Sequence, residues 1–347
     1  MKKLIILLIG TIALLINAFG QNVNIPDANF KAYLVMVTTI NTNADTEIQV
    51  SEATSFSGEI SVFGFQILDL TGIEAFTSLT LLRCPTNQLT SLDVSQNTAL
   101  TYLECGNNQL TSLDVSQNTA LVELDCSLNQ LTSLDVSQNT ALIYLECHNN
   151  QLTSLDVSQN TALDYLSCHN NQLTSLDVSQ NITLTTFSCA NNQITSLDVS
   201  QNTDLTQIQC QNNLLTSLDV SQSNHLSWMY CFSNQLTCLN LKNMINPSLG
   251  SFIQATDNPN LNCIEVDDVS SSTVNWTVAA GNIDTQMSFS TNCGNLCSLG
   301  ITELNTNSSK KLSKIIDLTG REIQYKKNTL MIYIYEDGTS ERVIEFE

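Results

Sequence analysis

The chain has 347 residues and a formal charge of −21, from 33 acidic and 12 basic side chains. Lys and Arg are absent from Cys84 to Leu241, where Asp and Glu occur 13 times, which argues against nucleic acid or an anionic lipid surface as a partner. Seven of the 12 basic residues fall in the last 48 positions, and that shift marks a separate C-terminal module.

Residues 1–20 read as an export signal: Lys2 and Lys3 form a charged start, Leu4 to Leu15 is nearly all apolar, and Ala18-Phe19-Gly20 offers a small-x-small cleavage site. A membrane anchor is the alternative, but the run is short and polar Gln21-Asn22-Val23-Asn24 follows it. The mature, exported chain is expected to begin near Gln21. Residues 21–56 are expected to cap the first repeat, with a helix starting in Pro26-Asp27-Ala28-Asn29-Phe30 and running to about Val37. The segment Asn41 to Glu52 resembles an EF-hand loop. Asn41, Asn43 and Asp45 stand first, third and fifth, the Glu47 carbonyl seventh and Glu52 twelfth, with Ile48 at the apolar position. The resemblance implies a structural Ca²⁺. Two departures weaken it: Asn41 replaces the usual Asp, and Thr46 the turn Gly. A capping turn ahead of a helix is the competing reading.

From residue 57 to 242 one phrase recurs every 21 residues, N-x-x-L-x-x-L-x-C-x-x-N-Q-L-T-S-L-D-V-S-Q. So short a unit cannot bury a core alone and must stack on its neighbours. Leu100, Leu103, Cys105, Asn108 and Leu110 fill L-x-x-L-x-L-x-x-N-x-L, and the registers recur down to Leu226, Met229, Cys231, Asn234 and Leu236. The pattern resembles bacterial leucine-rich repeats of the short, 21-residue exported type. A less regular first coil, Ile60 through Val62, Ile67 and Leu70 to Leu79, is offset by 22, closer to the internalin type. Each period holds two matching halves, so one coil is expected to have two short extended legs joined by Asn turns. Leu103 and Cys105 face inward on the first leg, Leu113 and Val115 on the second. The return leg is too short and too rich in Thr, Ser and Asp for a convex helix.

Cys84, Cys105, Cys126, Cys147, Cys168, Cys189, Cys210 and Cys231 share one register, replacing an inward aliphatic residue, and read as buried free thiols. Asp93 to Asp219, also 21 apart, point outward; they read as a solvated face that resists aggregation, with cation bridging as the alternative. The first leg varies from coil to coil. Its outward residues include Tyr102 and Glu104, Glu123 and Asp125, Tyr144 and Glu146, Tyr165, Trp228 and Tyr230, which are candidate ligand-binding residues. Mere surface packing is the alternative. His148 and His169 near Glu146 could form a zinc set, although turn-surface histidines are common.

Residues 243–297 are expected to close the far end, with a turn at Asn258-Pro259-Asn260-Leu261 and a strand at Cys263-Ile264-Glu265-Val266. Cys238, Cys263, Cys293 and Cys297 fall outside the ladder and are disulfide candidates, Cys263 with Cys293 first. Lys314 to Glu322, Leu330 to Tyr335 and Asp337-Gly338-Thr339 resemble the C-terminal sorting domain of the Bacteroidetes type IX secretion route. For residues 298–347 this implies a small β-sandwich read by an outer-membrane translocon; the usual Pro-Asn-Pro segment is missing. An ordinary terminal β module is the alternative. The expected fold is thus a β-rich solenoid, a leucine-rich-repeat rod with a small helical N-terminal cap and a sandwich-like C-terminal module.

No nucleophile elbow, phosphate loop or H-E-x-x-H is present, and a pair such as Glu104 and Glu123 has nothing to set its acidities apart. The expected function is non-catalytic: a monomeric, secreted or surface-attached protein that binds an extracellular protein or glycan through the varied leg. A purely structural surface-layer scaffold is the runner-up.

Overall fold

Alternation of outward and inward side chains, three residues at a time, builds the main sheet. In the computed structural model, residues 21–245, 250–294, 312–316, 331–335 and 340–343 are described. The strands are β1 (Glu59–Ser61), β2 (Leu81–Arg83), β3 (Tyr102–Glu104), β4 (Glu123–Asp125), β5 (Tyr144–Glu146), β6 (Tyr165–Ser167), β7 (Thr186–Ser188) and β8 (Gln207–Gln209). They continue through β9 (Ser217–Asp219), β10 (Trp228–Tyr230), β11 (Cys238–Asn240) and β12 (Phe252–Gln254). One ten-stranded sheet runs β1 to β8 in chain order, then β10 and β12. Every pairing in it is parallel and shifts by whole coils, so Leu103 faces Leu124 and Leu124 faces Leu145. The first step, Ile60 to Leu82, is the expected 22-residue offset. The middle residue of each strand is buried: Ile60, Leu82, Leu103, Leu124, Leu145, Leu166, Phe187, Ile208, Met229 and Ile253. Each such side chain contributes about 1.5–3 kcal/mol by leaving water.

The strands stop after three residues for a local reason. Two positions beyond each ladder cysteine the backbone turns left-handed, at Asn107, Asn149, Asn170, Asn191 and Asn212 among others. Asn tolerates that conformation better than most residues. The next residue, Asn108 in its coil, then fixes the corner. Its Oδ1 accepts from Leu89 N (3.0 Å), and its Nδ2 donates to the Cys84 and Cys105 carbonyls (both 3.0 Å).

The return leg departs from expectation in one respect. Leu113 and Val115 point inward, as the alternation requires. Ladder pairing on this leg begins only at β9, which pairs with β11. In earlier coils a second asparagine carries the connection instead: Asn118 Nδ2 donates to the Val94 and Asn97 carbonyls of the preceding coil (both 2.9 Å). No α-helix interrupts the described coils; a single 3₁₀ turn, Ile73–Ala75, lies in the first.

Two helices, α1 (Ala28–Met36) and α2 (Val50–Ser55), cover the first coil. Asp27 caps α1 by accepting from the Asn29 and Phe30 amides. Phe30, Leu34, Ile40 and Ile48 are fully buried and join the same core as Ile60 and Ile67. At the far end β13 (Cys263–Glu265), helix α3 (Val269–Asn275) and β14 (Ser288–Ser290) extend the return leg into a second sheet, ordered β14-β13-β11-β9. Cys263 and Cys293 form the expected disulfide, with Cα atoms 5.8 Å apart. Cys238 is disulfide-bonded as well. The eight ladder cysteines are free and buried.

In the C-terminal module, β15 (Leu312–Ile316), β16 (Met331–Tyr335) and β17 (Ser340–Val343) form an antiparallel sheet. The expected export signal at 1–20 and the remainder of the expected sorting domain lie outside the described residues. Among the described residues no helix is long and apolar enough to cross a membrane.

Candidate functional site

All nine candidate ligand-binding residues lie on one surface, the outer face of the ten-stranded sheet. Tyr102 and Glu104 are the outward pair of β3, Glu123 and Asp125 of β4, Tyr144 and Glu146 of β5. Tyr165 opens β6, and Trp228 and Tyr230 flank Met229 on β10. Parallel in-register pairing stacks like positions, so Tyr144 lies beside Tyr165 with ring centroids 4.3 Å apart and planes 13° from parallel.

Hydrogen bonds lock this stack. The Tyr144 hydroxyl donates to Glu146 Oε1 at 2.6 Å. The His148 ring stands 3.7 Å from Glu146 Oε2. That ring, then the tyrosine hydroxyls, hold the Glu146 carboxyl down at about 2, although burial opposes them. Burial, and then Glu146, push the Tyr144 phenol up. Tyr165 is raised by the same two causes. His148 and His169 stack as the tyrosines do, at 4.3 Å and 11°. Burial and the neighbouring His148 keep His169 below the ordinary imidazole value. Ser167 Oγ pairs with His169 Nδ1 at 2.9 Å, and Asn149 Nδ2 with His148 Nδ1 at 2.8 Å. Parallel stacked rings do not aim their in-plane lone pairs at a common point, and among the described residues no three His, Cys, Asp or Glu side chains are placed to share a metal ion.

The N-terminal part of the face is charged. Arg83 lies between Glu59 (3.4 Å) and Glu104 (3.6 Å), with its guanidinium 4.6 Å from the Tyr102 ring centroid. The far end is aromatic. Trp228 stacks on Phe252 at 4.9 Å, and Tyr230 meets Trp228, Phe232 and Phe252 edge-on at 5.6–6.0 Å. Trp228 is 41% exposed. Phe252 was not legible as a member of this face because β12 follows β10 by 24 residues rather than 21. The signal was nonetheless present, since Phe252-Ile253-Gln254 repeats the outward-inward-outward pattern of Trp228-Met229-Tyr230.

In the cap, Asn41, Asn43, Asp45, Glu47 and Glu52 share one loop, whose polar groups are spent largely on each other. Glu52 Oε1 accepts from the Thr42 and Asn43 amides and the Thr42 hydroxyl, and Oε2 from Gln49 N, closing a capping box on α2. Asp45 accepts from Glu47 N and the Asn43 side chain, and Glu47 pairs with Lys31 at 2.7 Å. Among the loop's buried side-chain atoms Asn41 Oδ1 lacks a partner, while its amide nitrogen serves the Val35 and Asp45 carbonyls. That orphan oxygen fits a cation; the engaged carboxylates of Glu52 and Asp45 do not, without rearranging the turn.

The outward Asp ladder has a local structural role beyond a solvated surface. Each Asp accepts from the amide two residues on, as Asp114 does from Ser116 and Asp135 from Ser137 (both 2.9 Å). Hydrogen bonds from those serines lower both carboxyls. These are Asx turns that open the second corner of each coil.

No family model and no curated protein match the chain. Solved structures do. The functional domain of InlJ from Listeria monocytogenes, described as including a cysteine ladder, is 25% identical over 94% of this chain and 99% of its own, with a TM-score of 0.35. Internalin C2 from the same organism is 18% identical over 76% and 94%, at 0.45. The Leptospira interrogans leucine-rich-repeat protein LIC12759 is 20% identical over 63% and 74%, at 0.39. The solenoid assignment rests on this chain's own coils.

Proposed function

We propose that this chain is an exported, non-catalytic recognition rod whose strand face engages an extracellular protein or glycan, in an adhesive or environment-sensing role. The observation that carries this is the contrast between the two legs of each coil. The return leg repeats Leu-Thr-Ser-Leu-Asp-Val-Ser almost unchanged, whereas the strand face changes from coil to coil. Aromatic residues exposed beside acids and amides are the composition of recognition surfaces. Replacing Tyr144, Tyr165 and Trp228 with Ser is expected to abolish binding to protein or glycan arrays and attachment of cells displaying the rod. Unchanged binding and attachment would leave the structural-scaffold reading, which the near-identity of the return legs favours.

Export belongs to the same reading. Residues 1–20 serve as the signal, 21–56 and 243–297 close the ends of the 57–242 solenoid, and 298–347 address the monomeric chain to an outer-membrane translocon. Deleting 298–347 is expected to strand the protein in the periplasm; normal surface delivery would remove the sorting role. The loop from Asn41 to Glu52 is read as a cap that a weakly bound Ca²⁺ can brace. A melting temperature that is the same in Ca²⁺ and in chelator would assign it to the capping box alone.

A further inference from the structure

Just past β12 the chain borders an open groove of about 560 Å³. That volume falls within the range of about 300–1,000 Å³ usual for small-ligand sites. Thr256, Asp257, Asp284 and Gln286 line it with hydroxyl, carboxylate and amide groups, and Val278 adds an exposed apolar wall. Its position follows from the coil geometry. The Ser233 amide donates to the Thr256 carbonyl at 3.0 Å, so the near wall stands beside the residue that follows Phe232. Asp257 is left-handed, at φ 57°, in the corner register that Asn107, Asn149 and Asn170 occupy in earlier coils. The Asn258 amide donates to Asp284 Oδ2 at 3.2 Å, which sets the second carboxyl against the same corner. No Lys or Arg lines the groove, and Lys242, at the same end of the rod, is held by Glu265 at 2.6 Å.

The aromatic end of the strand face leads into this groove. Trp228 stacks on Phe252, and Tyr230 bridges them to Phe232. Trp228 is open to solvent, and Tyr230, Phe232 and Phe252 are partly so. From Phe252 to Thr256 the backbone spans at most about 14 Å, so platform and groove lie within reach of one short oligomer. Charge separates this end from the rest of the face. Strands β1 to β5 carry Glu59, Glu104, Glu123, Asp125 and Glu146 beside Arg83. In β6, β7, β8, β10 and β12 the outward positions hold only Ser, Thr, Gln, Tyr, Trp and Phe. Flat rings without neighbouring charge suit the apolar faces of sugar rings. Carboxylates and an amide at the end of the platform accept hydrogen bonds from hydroxyls and repel anions.

We infer that the Trp228–Phe252 platform and the adjoining groove form one site for a neutral oligosaccharide, which stacks sugar rings on the aromatics and turns its terminal hydroxyls toward Asp257, Asp284 and Gln286. This rests on the strand face being the binding face, and names the ligand class that its aromatic end takes. A basic protein segment would instead seek the acidic strands β3 to β5, where Glu104, Glu123, Asp125 and Glu146 gather.

The test is calorimetric titration of the full chain with cellohexaose, mannohexaose and N-acetylchitohexaose, with polygalacturonate as the anionic comparator. At least one neutral hexasaccharide is expected to bind, indifferently to added salt. The chain has two tryptophans, and Trp276 is 3% exposed, so quenching of fluorescence by acrylamide reports on Trp228. A saturating sugar is expected to shield it. Trp228→Thr installs the residue that β7 carries in that register, and Asp257→Asn the residue that earlier corners carry, so the fold should tolerate both. Each is expected to weaken binding at least about tenfold, with unchanged circular dichroism and melting. Thr132→Ala, exposed on a return leg, should have no effect. Sugar binding that either site variant leaves intact, quenching unchanged at saturation, or polygalacturonate bound as tightly as a neutral glycan overturns the inference. Silence toward every sugar alongside a protein ligand lost in the Tyr144→Ser variant overturns it too, but leaves the strand face as a binding surface. Silence toward both sugars and proteins removes the two readings together.

Discussion

At Leu128 the left-handed corner is occupied by a β-carbon-bearing apolar residue, at φ 53° and 48% exposed, where most coils place Asn. Leucine has no side-chain hydrogen bond to offset that conformation. It also interrupts the row in which Asn170 donates to Asn149 and Asn107 to Thr86. Leu128→Asn is therefore expected to stabilise the rod by about 0.5–1 kcal/mol, read as a higher denaturant midpoint at unchanged slope; a lower midpoint would mean that Leu128 packs favourably on its neighbours. Glu146 supports a second prediction. Its folded carboxyl sits at about 2, against an ordinary 4.5. A depressed carboxyl contributes stability that is complete above the ordinary value and is lost as pH falls through the folded one. His169, lowered from 6.5, acts in the same direction, because acid must charge a ring that the fold holds neutral. Glu146→Gln should flatten the fall in melting temperature between pH 4.5 and about 2 relative to the parent chain. If parent and variant lose stability in parallel, the Tyr144–Glu146–His148 cluster is not coupled to folding. Periodicity made the placing of these side chains legible, since Tyr144 and Tyr165 are 21 apart and must neighbour across parallel strands. The bonds from Tyr144 and His148 to Glu146 were not, because they depend on side-chain rotation within one coil.

Two asparagine ladders hold the coils, and they are not equivalent. Asn150 uses both ends of its amide: Oδ1 accepts from Leu131 N at 2.9 Å, and Nδ2 donates to the Cys126, Cys147 and His148 carbonyls. Asn160 uses one end. Its Nδ2 reaches the Val136 and Asn139 carbonyls, but its Oδ1 is buried without a partner, as it is at Asn97, Asn118, Asn139, Asn181 and Asn202. Truncation should reveal the difference. Asn150→Ala strands a buried amide and several carbonyls at about 1–3 kcal/mol for each group left unpaired. Asn160→Ala exposes fewer groups and removes an already unsatisfied oxygen, so its cost should be clearly smaller; equal losses in urea melts would refute the asymmetry. The sequence repeats both asparagines equally and cannot distinguish them. Their geometry explains a second illegible feature. The return legs of the early coils, though extended and inward-facing as the alternation implied, are tied by the Asn118 ladder in place of strand pairing. Ladder pairing takes over only near the position where Ser223 replaces that asparagine, its hydroxyl donating to the Asn202 carbonyl. The cap loop differs again. Its acidic and amide spacing resembles a cation-binding loop, but the same spacing also makes a capping box, and composition alone does not choose between them.

In a stacked rod each coil touches only its neighbours, so stability is a sum of local terms and damage stays local. The eight ladder thiols illustrate the consequence. Burial pushes their pKa values up, Cys210 to about 12, which leaves almost no thiolate to attack or be attacked. Disulfide chemistry falls instead at the far end, at Cys238 on β11 and at Cys263 and Cys293, which close a separation of 30 residues around α3 and β14. The edge strands of the second sheet have one neighbour each, and among the described residues β14 pairs with β13 alone. A crosslink there matters more than one in mid-rod, where two coils already hold each strand. Replacing Cys263 and Cys293 with Ser is expected to cost about 2–4 kcal/mol, paid at that end. Amide exchange should accelerate in β11, β13 and β14 and remain unchanged in β3 to β6. The strand face from β3 to β8 should therefore keep its shape, and binding on it should survive the loss of the disulfide. Faster exchange along the entire ladder would show instead that the rod unfolds as one unit, with the terminal crosslink governing all of its coils.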